Sequence, residues 1–377
     1  MKAIINGVLV LADAVLTGHA LIFDDKIRDI SNQASLSTGQ FSKVIDAEGC
    51  FVAPGFIDIH VHGFGGADTL DAGGLGIAKM RRQLPATGVT AFLPTTISHT
   101  LSRLQEAQSH IRAAMAVSSG AAVLGCHLEG PFISEQARGA HEARHLVRPT
   151  QGVPAEFGDV LKIVTLAPEL PGAAELIAQC LKVGIKVAIG HTAATYEQAM
   201  DAVSGGASLF THVFNAMPPM HHRAPGALGA ALDSDAYCEL IADNIHVHPA
   251  MQRLLARAKR ADRIILITDS TMAGLPDGTY ELHGQEVTVQ EQAVRLSSGQ
   301  LAGSALTLNR AVRNFIANTG LSLPKAVRLV TANPARLLGL SRRKGGLAVG
   351  MDADITIFDD NLEIRRTLVG GECEYSK

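Results

Sequence analysis

Four histidines and two carboxylates fall in five groups along this 377-residue chain: His60-Val61-His62, Glu129, His191, His212 and Asp269. Their ligand atoms are imidazole nitrogen and carboxylate oxygen, with no thiolate, a set that suits zinc, iron, manganese or cobalt. An ion held with one position open lowers the pKa of water to about 7 and provides a nucleophile for a carbonyl at neutral pH. A free carboxylate beside it can take the proton from that water and return it to a leaving group. Asp269 is placed for that acid/base role, so the expected chemistry is metal-dependent hydrolysis.

Each group is weak evidence by itself. His60 and His62 are spaced i, i+2, so on a strand both rings point one way. The chain contains a second such pair, His246-Val247-His248, but only the first is followed by Gly63, Gly65 and Gly66, which let the backbone stay close to a ligand. Glu129 alone could be a turn residue, and His191 or His212 a satisfied core or cap histidine. Asp269 closes an apolar run, where an unpaired charge is costly and a nearby metal or histidine relieves the cost. Five such groups at comparable positions are hard to explain by packing.

Those positions define the elements that must hold them. Each group lies just past a short apolar run: 55–59, 121–126, 185–189, 207–210 and 263–267. Similar runs at 89–94, 161–166 and 238–242 bring the strands to eight. Helical patterns fill the gaps, as at 101–115, 173–181, 196–203, 249–259 and 306–316. Nearly continuous apolar strands alternating with helices indicate a parallel sheet buried on both faces. Eight such units predict an α/β fold of the (β/α)8 TIM-like barrel type over 51–344, whose strand tails collect catalytic groups on one face. No glycine-rich phosphate loop follows the first strand, which argues against an open dinucleotide-binding sheet. Short strands at 3–10, 20–23 and 43–46, and again at 354–358 and 366–369, cannot enclose cores of their own. Residues 1–50 and 345–377 are therefore expected to pair into one small β-sandwich domain beside the barrel.

Composition narrows the setting. A net charge of −3 and a pI near 6.6 give no electrostatic case for nucleic acid or an anionic membrane. No apolar run is long enough to span a bilayer, and the start, with Gly7 and Asp13, does not read as a signal peptide. Cys50, Cys126, Cys180, Cys238 and Cys373 form no C-x-x-C pair and read as reduced thiols of a cytoplasmic protein, with Cys126 a core residue.

The order H-x-H on the first strand, His on the fifth and sixth and Asp on the eighth resembles the amidohydrolase superfamily. The stretch Gly346-Leu347-Ala348-Val349-Gly350-Met351-Asp352-Ala353-Asp354 is similar to its closing signature. Most of its metal-bridging residues are lysines on the fourth strand, whereas Glu129 on the third takes that place here. With His127-Leu128-Glu129-Gly130-Pro131-Phe132 and Thr211-His212-Val213-Phe214-Asn215-Ala216-Met217, the whole chain resembles the N-acetylglucosamine-6-phosphate deacetylase family. That resemblance implies hydrolysis of the acetamide of N-acetyl-D-glucosamine 6-phosphate in amino-sugar catabolism. It implies that Glu129, His191 and His212 hold the principal divalent metal, that Asp269 is the acid/base and that His141 polarises the acetyl carbonyl. Ala140, Asn215, Ala216, Leu301, Ala302 and Gly303 would line the sugar site. Arg223 and His246 would bind the 6-phosphate, one or both across the interface of a homodimer or homotetramer. Some members carry amides in place of the first-strand histidines and hold one metal. His60 and His62 permit a second, bridged by Glu129, so one or two ions per subunit are implied, zinc first among the candidates. The galacto epimer of the substrate, and another amide altogether, stand as alternatives. A non-catalytic binding protein is disfavoured because no ligand or acid/base residue is missing.

Overall fold

The computed structural model of the protein describes residues 1–153 and 157–377. The eight apolar runs are too short for helices and too continuous to alternate, and they form eight parallel strands. These are β1 Phe56–Val61, β2 Val89–Thr96, β3 Cys126–Glu129, β4 Leu161–Leu166, β5 Lys186–Ile189, β6 Leu209–Phe210, β7 Tyr237–Ile241 and β8 Ile264–Ile267. Each pairs with the next in chain order. Closure comes at the strand tails: Asp269 N donates to His60 O (2.9 Å), and His62 N and Gly63 N donate to Ser270 O (2.9 and 2.8 Å). Ile57, Ile59, Phe92, Ile163, Phe210, Leu240 and Ile265 are among the buried side chains of the main core. Helices at Leu101–Met115, Ala173–Lys182, Tyr196–Ser204, Pro249–Ala258 and Leu308–Thr319 occupy the gaps where helical periodicity was expected.

Two strand boundaries move in ways that matter for the site. β1 runs through His60 instead of ending before it, because its bonds to β8 continue past that residue. The third apolar run splits into Ala122–Val123 and β3, separated by Gly125 at φ +137°. Glu129 is thereby the last residue of a strand and not a turn residue beyond one.

The termini build the expected sandwich. Lys2–Ile5, His19–Phe23, Ile27–Asn32 and Lys43–Asp46 form one sheet. In the other, Phe51–Pro54 lies between Val8–Val10 and the C-terminal strand Ile355–Phe358. Ile4, Leu21, Phe23 and Ile45 of the first sheet pack with Leu9, Val52, Ile355 and Leu368 of the second. The predicted run 3–10 is two strands on different sheets, because Asn6 takes a left-handed conformation (φ 54°) between them.

One element was not anticipated. Gly278–Leu282, Gln285–Gln290, Ala293–Leu296 and Leu301–Ser304 form an antiparallel sheet inserted between β8 and the helix Leu308–Thr319. It buries Leu282, Val287, Val289, Val294 and Ala302 with Met272 in a small core of its own. Its signal was the alternation Val287-Thr288-Val289 bracketed by left-handed turns at His283-Gly284 and Glu291-Gln292. The sheet's last strand is bonded to the tail of β8, with Ser304 N donating to Asp269 O at 2.8 Å and Thr271 N to Ser304 O at 3.0 Å. Among the described residues no helix is long and apolar enough to cross a membrane.

Candidate active site

His191, His212 and Asp269 stand two residues past the ends of β5, β6 and β8, and all three have left-handed backbones, with φ of 48°, 28° and 49°. This region is uncommon for residues with a Cβ and is held at functional sites by the surrounding structure. At each of these three strand ends the chain turns sharply, leaving the side chain over the barrel mouth. Glu129 arrives directly on β3. Gly130 after it has φ +73°, and a Cβ there would lie 2.2 Å from Ser98 Oγ, so glycine admits the loop that follows β2.

The side chains converge on Glu129. Its Oε1 lies 3.1 Å from His191 Nε2, 3.0 Å from His212 Nε2 and 3.4 Å from His60 Nε2. Its Oε2 lies 3.2 Å from His62 Nε2 and 3.3 Å from His141 Nε2. Asp269 Oδ1 lies 3.3 Å from His62 Nε2 and 3.5 Å from His60 Nε2. All seven are buried. Burial alone would raise the Glu129 carboxyl, but the attraction of His60 and His191 holds it well below the carboxylate range. Asp269 is lowered too, as His60 and His62 outweigh its burial.

The donor set fits a divalent metal. His212 Nε2 faces His191 Nε2 at 3.1 Å, and His60 Nε2 faces His62 Nε2 at 3.2 Å. Such pairs of ring nitrogens, grouped around carboxylate oxygens, suit a shared cation. His191 Nδ1 donates to Ala137 O at 2.9 Å, which leaves its Nε2 lone pair turned toward Glu129. His60, His62 and Glu129 form one candidate ligand group; the atoms of Glu129, His141 and His191 lie equally close, but His141 carries its proton on the nitrogen that faces Glu129.

A cleft of about 580 Å³ opens over these groups, of a size to take a small ligand. Its walls include His62, Glu129, Ala140, His141, His191, His212, Asn215, Ala216, His246, Asp269, Leu301, Ala302 and Gly303. Of the residues singled out in the sequence, His60 sits beneath this wall and Arg223 stands apart, exposed on the loop after Ala216 with its Nη1 2.7 Å from His222 Nε2. His141 Nδ1 accepts the Ser98 peptide N–H at 3.2 Å, so the ring presents Nε2–H to the cleft. Burial lowers this imidazole to about 4 against the pull of Glu129, which keeps it neutral. His246 Nδ1 is bound to Asp243 Oδ2 at 2.6 Å, and Asp243 Oδ1 also accepts the Ile245 and His246 peptide N–H groups. Burial disfavours charge on His246, but Asp243 prevails and raises its pKa.

Asp243, Glu169 and His127 support these groups. Asp243 orients His246. Glu169 holds Thr192 Oγ1 at 2.5 Å and Ala193 N at 2.6 Å, fixing the loop after β5. His127 packs edge-on against His60, with ring centroids 4.6 Å apart, and its Nδ1 and Nε2 bond Ile59 O and Thr165 Oγ1. Four contributors escaped notice: Ser98, Glu239, and the cleft residues His283 and Arg295 of the inserted sheet. Glu239, inside an otherwise apolar strand, was the one with a visible signal, a carboxylate where burial is expected.

Residues 51–374 match the amidohydrolase family. The N-acetylglucosamine-6-phosphate deacetylase of Bacillus subtilis (strain 168) is 40% identical over 375 residues, covering 96% of this chain and 94% of that protein. The N-acetylgalactosamine-6-phosphate deacetylase of Escherichia coli O157:H7 is 38% identical over 334 residues, covering 87% of this chain and 88% of that protein. A Mycobacterium smegmatis N-acetyl-D-glucosamine-6-phosphate deacetylase variant, solved in complex with N-acetyl-D-glucosamine-6-phosphate, superposes with a TM-score of 0.90 at 30% identity. That match covers 100% of this chain and 99% of the other. The chain belongs to the amidohydrolase family.

Proposed function

We propose that this amidohydrolase removes the acetyl group of N-acetyl-D-glucosamine 6-phosphate by hydrolysis of its C–N amide bond, releasing glucosamine 6-phosphate and acetate in amino-sugar catabolism. The observation that carries this reading is the cleft in which Asp269, His141 and the imidazoles around Glu129 meet a wall bearing His246, in a fold shared end to end with deacetylases of phosphosugars. A divalent metal is the cofactor. It supplies a Lewis acid for the amide carbonyl and lowers the pKa of the attacking water. Glu129, His191 and His212 would hold it, and His60 and His62 with Glu129 would provide donors for a second ion. Zinc suits this nitrogen and oxygen set best, with iron, manganese or cobalt as alternatives.

The rest of the reaction belongs to the chain's own side chains. Asp269 takes a proton from the attacking water, since its carboxyl is held ionised among imidazoles. It then returns that proton to the nitrogen, because an unprotonated amine leaves poorly. His141 donates Nε2–H to the carbonyl oxygen as negative charge develops there. Ala140, Asn215, Ala216 and the strand Leu301–Ser304 bound the space for the sugar. His246, held by Asp243, binds the 6-phosphate.

Arg223 offers a forked cation for the same phosphate. It stands outside its own cleft, which suits a guanidinium reaching a neighbouring subunit in a homodimer or homotetramer. We assign catalysis to the barrel within 51–344 and a supporting role to the β domain of 1–50 and 345–377, which also takes in the strand Phe51–Pro54. Five free cysteines suit a reducing, cytoplasmic setting.

One competing substrate has an observation behind it. The Escherichia coli relative acts, by its name, on the galacto epimer, at nearly the same identity as the gluco enzymes. The decisive experiment measures acetate release from both 6-phosphates and from unphosphorylated N-acetylglucosamine, with metal analysis on the same sample. A strong preference for the gluco 6-phosphate is expected. Preference for the galacto epimer would keep the mechanism and change the substrate, and no release from metal-loaded protein would refute the substrate class.

A further inference from the structure

Glu239 sits in the middle of β7, and its side chain and that of His60 are both 0% exposed. A carboxylate on an otherwise apolar barrel strand is costly without a partner. Its Oε2 accepts from His60 Nδ1 at 3.0 Å and from the His212 peptide N–H at 3.3 Å. Its Oε1 is buried without a hydrogen-bond partner among the described residues. His127, although close enough to join the group, has both ring nitrogens committed to Ile59 O and Thr165 Oγ1. His60 is therefore the side chain that Glu239 serves.

The bond has a definite consequence for His60. With Nδ1–H given to Glu239, the Nε2 lone pair is left free and points at His62 Nε2 (3.2 Å) and Glu129 Oε1 (3.4 Å). A histidine that binds a metal through one nitrogen commonly donates its other N–H to a carboxylate, which fixes the ring and makes it a stronger donor. His191 is braced differently, by the neutral carbonyl of Ala137.

We propose, resting on the reading given above in which His60 and His62 with Glu129 take a second divalent ion, that Glu239 is a positioning residue that orients the His60 ring toward that ion. Glu239 does not touch substrate. It acts through the ring of His60, and the carboxylate charge is what strengthens the second ion's binding.

The test is metal stoichiometry and affinity, measured by elemental analysis after dialysis and by competition with a chromophoric chelator, using zinc as the probe. Wild-type protein is expected to keep two ions per chain. Glu239→Gln retains an acceptor for the His212 peptide N–H and should weaken the second ion roughly 10- to 100-fold while leaving the first unchanged. His60→Asn should lose the same ion, and the double variant should lose no more than His60→Asn alone. Should Glu239→Gln fold poorly, Glu239→Asp keeps the charge but withdraws it from Nδ1, and the same selective weakening is expected. Unchanged affinities in the variants would overturn the proposal. So would equal weakening of both ions, which marks a purely structural role through His212, or a wild-type protein that binds one ion. Acetate release on the same samples separates this from the substrate assignment: two ions bound with no turnover would defeat the deacetylase reading and leave the role of Glu239 standing.

Discussion

Replacing His141 tests whether a neutral imidazole, and not a positive charge, stabilises the transition state. The ring is 2% exposed, accepts the Ser98 N–H at Nδ1 and lies 2.7 Å from Ser98 Oγ. Burial lowers its pKa to about 4, well below the ordinary imidazole range, so it is uncharged at neutral pH and offers one fixed N–H. Removing one preorganised donor to a developing oxyanion lowers kcat by about 10²–10³, equivalent to about 2.7–4 kcal/mol. His141→Ala should fall in that range. KM should change little, because the bond strengthens as charge builds and contributes less in the ground state. Ser98→Ala is the discriminating partner. It deletes the hydroxyl but keeps the peptide N–H that sets the tautomer, so its loss should stay below about tenfold, or about 1.4 kcal/mol. The assay is steady-state acetate release at saturating substrate, with metal content checked in each variant. A His141→Ala enzyme within threefold of wild type, or a Ser98→Ala enzyme as damaged as His141→Ala, would refute the reasoning.

The other expectations are more direct. Asp269→Asn keeps the shape and a residue type tolerant of the left-handed backbone at φ 49°, so metal content and substrate binding by calorimetry should persist while turnover drops by about 10³ or more; near-normal turnover would remove Asp269 from the acid/base role. Dialysis against a strong chelator should abolish acetate release and lower the thermal midpoint, with both recovered on adding zinc or manganese, since an ion bound only by the folded state stabilises it. Asp243→Asn should raise KM for the 6-phosphate roughly tenfold, about 1.4 kcal/mol, with kcat nearly constant, because His246 loses the partner that orients it; equal loss on the unphosphorylated sugar would contradict a phosphate role. Gly130→Ala would place a methyl 2.2 Å from Ser98 Oγ at φ +73° and should cost more than about 1 kcal/mol in chemical denaturation, a stable variant being the contrary result.

The barrel was legible because its strands are buried on both faces, so apolar continuity marks them without any need for periodicity. β4 at Leu161–Leu166 was located to the residue. The candidate ligands stood out because a charged or imidazole group at a strand tail contradicts the apolar run before it. What sequence could not supply was the closure of β1 on β8, which carries His60 into the strand. That depends on backbone hydrogen bonds between segments some two hundred residues apart, such as Asp269 N to His60 O. The inserted sheet was missed for a related reason. Its strands alternate, as a half-exposed antiparallel sheet must, and in a chain otherwise read as βα units that alternation passes for loop.

That inserted sheet also explains why the cleft has the walls it has. Without it, the barrel mouth would be bounded by the loops after the barrel strands, among them those after β2 and β7 that bring Ile97 and His246 to the cleft. The strand Leu301–Ser304 is tied to the tail of β8 by Ser304 N to Asp269 O and by Thr271 Oγ1 to Ala302 O, each within 2.9 Å. Any displacement of this strand therefore pulls on the backbone of Asp269 itself. In the proposed reaction substrate contact and proton transfer meet at that point, so a substitution that reshapes 301–303 should alter kcat as well as KM. Val287→Ala, in the small core behind the strand, is the clean probe: it touches neither cleft nor ligands. A deleted pair of methyls there costs about 1–2 kcal/mol locally. Loosening should then appear as faster amide exchange across 285–304 together with a several-fold drop in kcat. Faster exchange with unchanged kcat would mean that Asp269 is held by β8 alone.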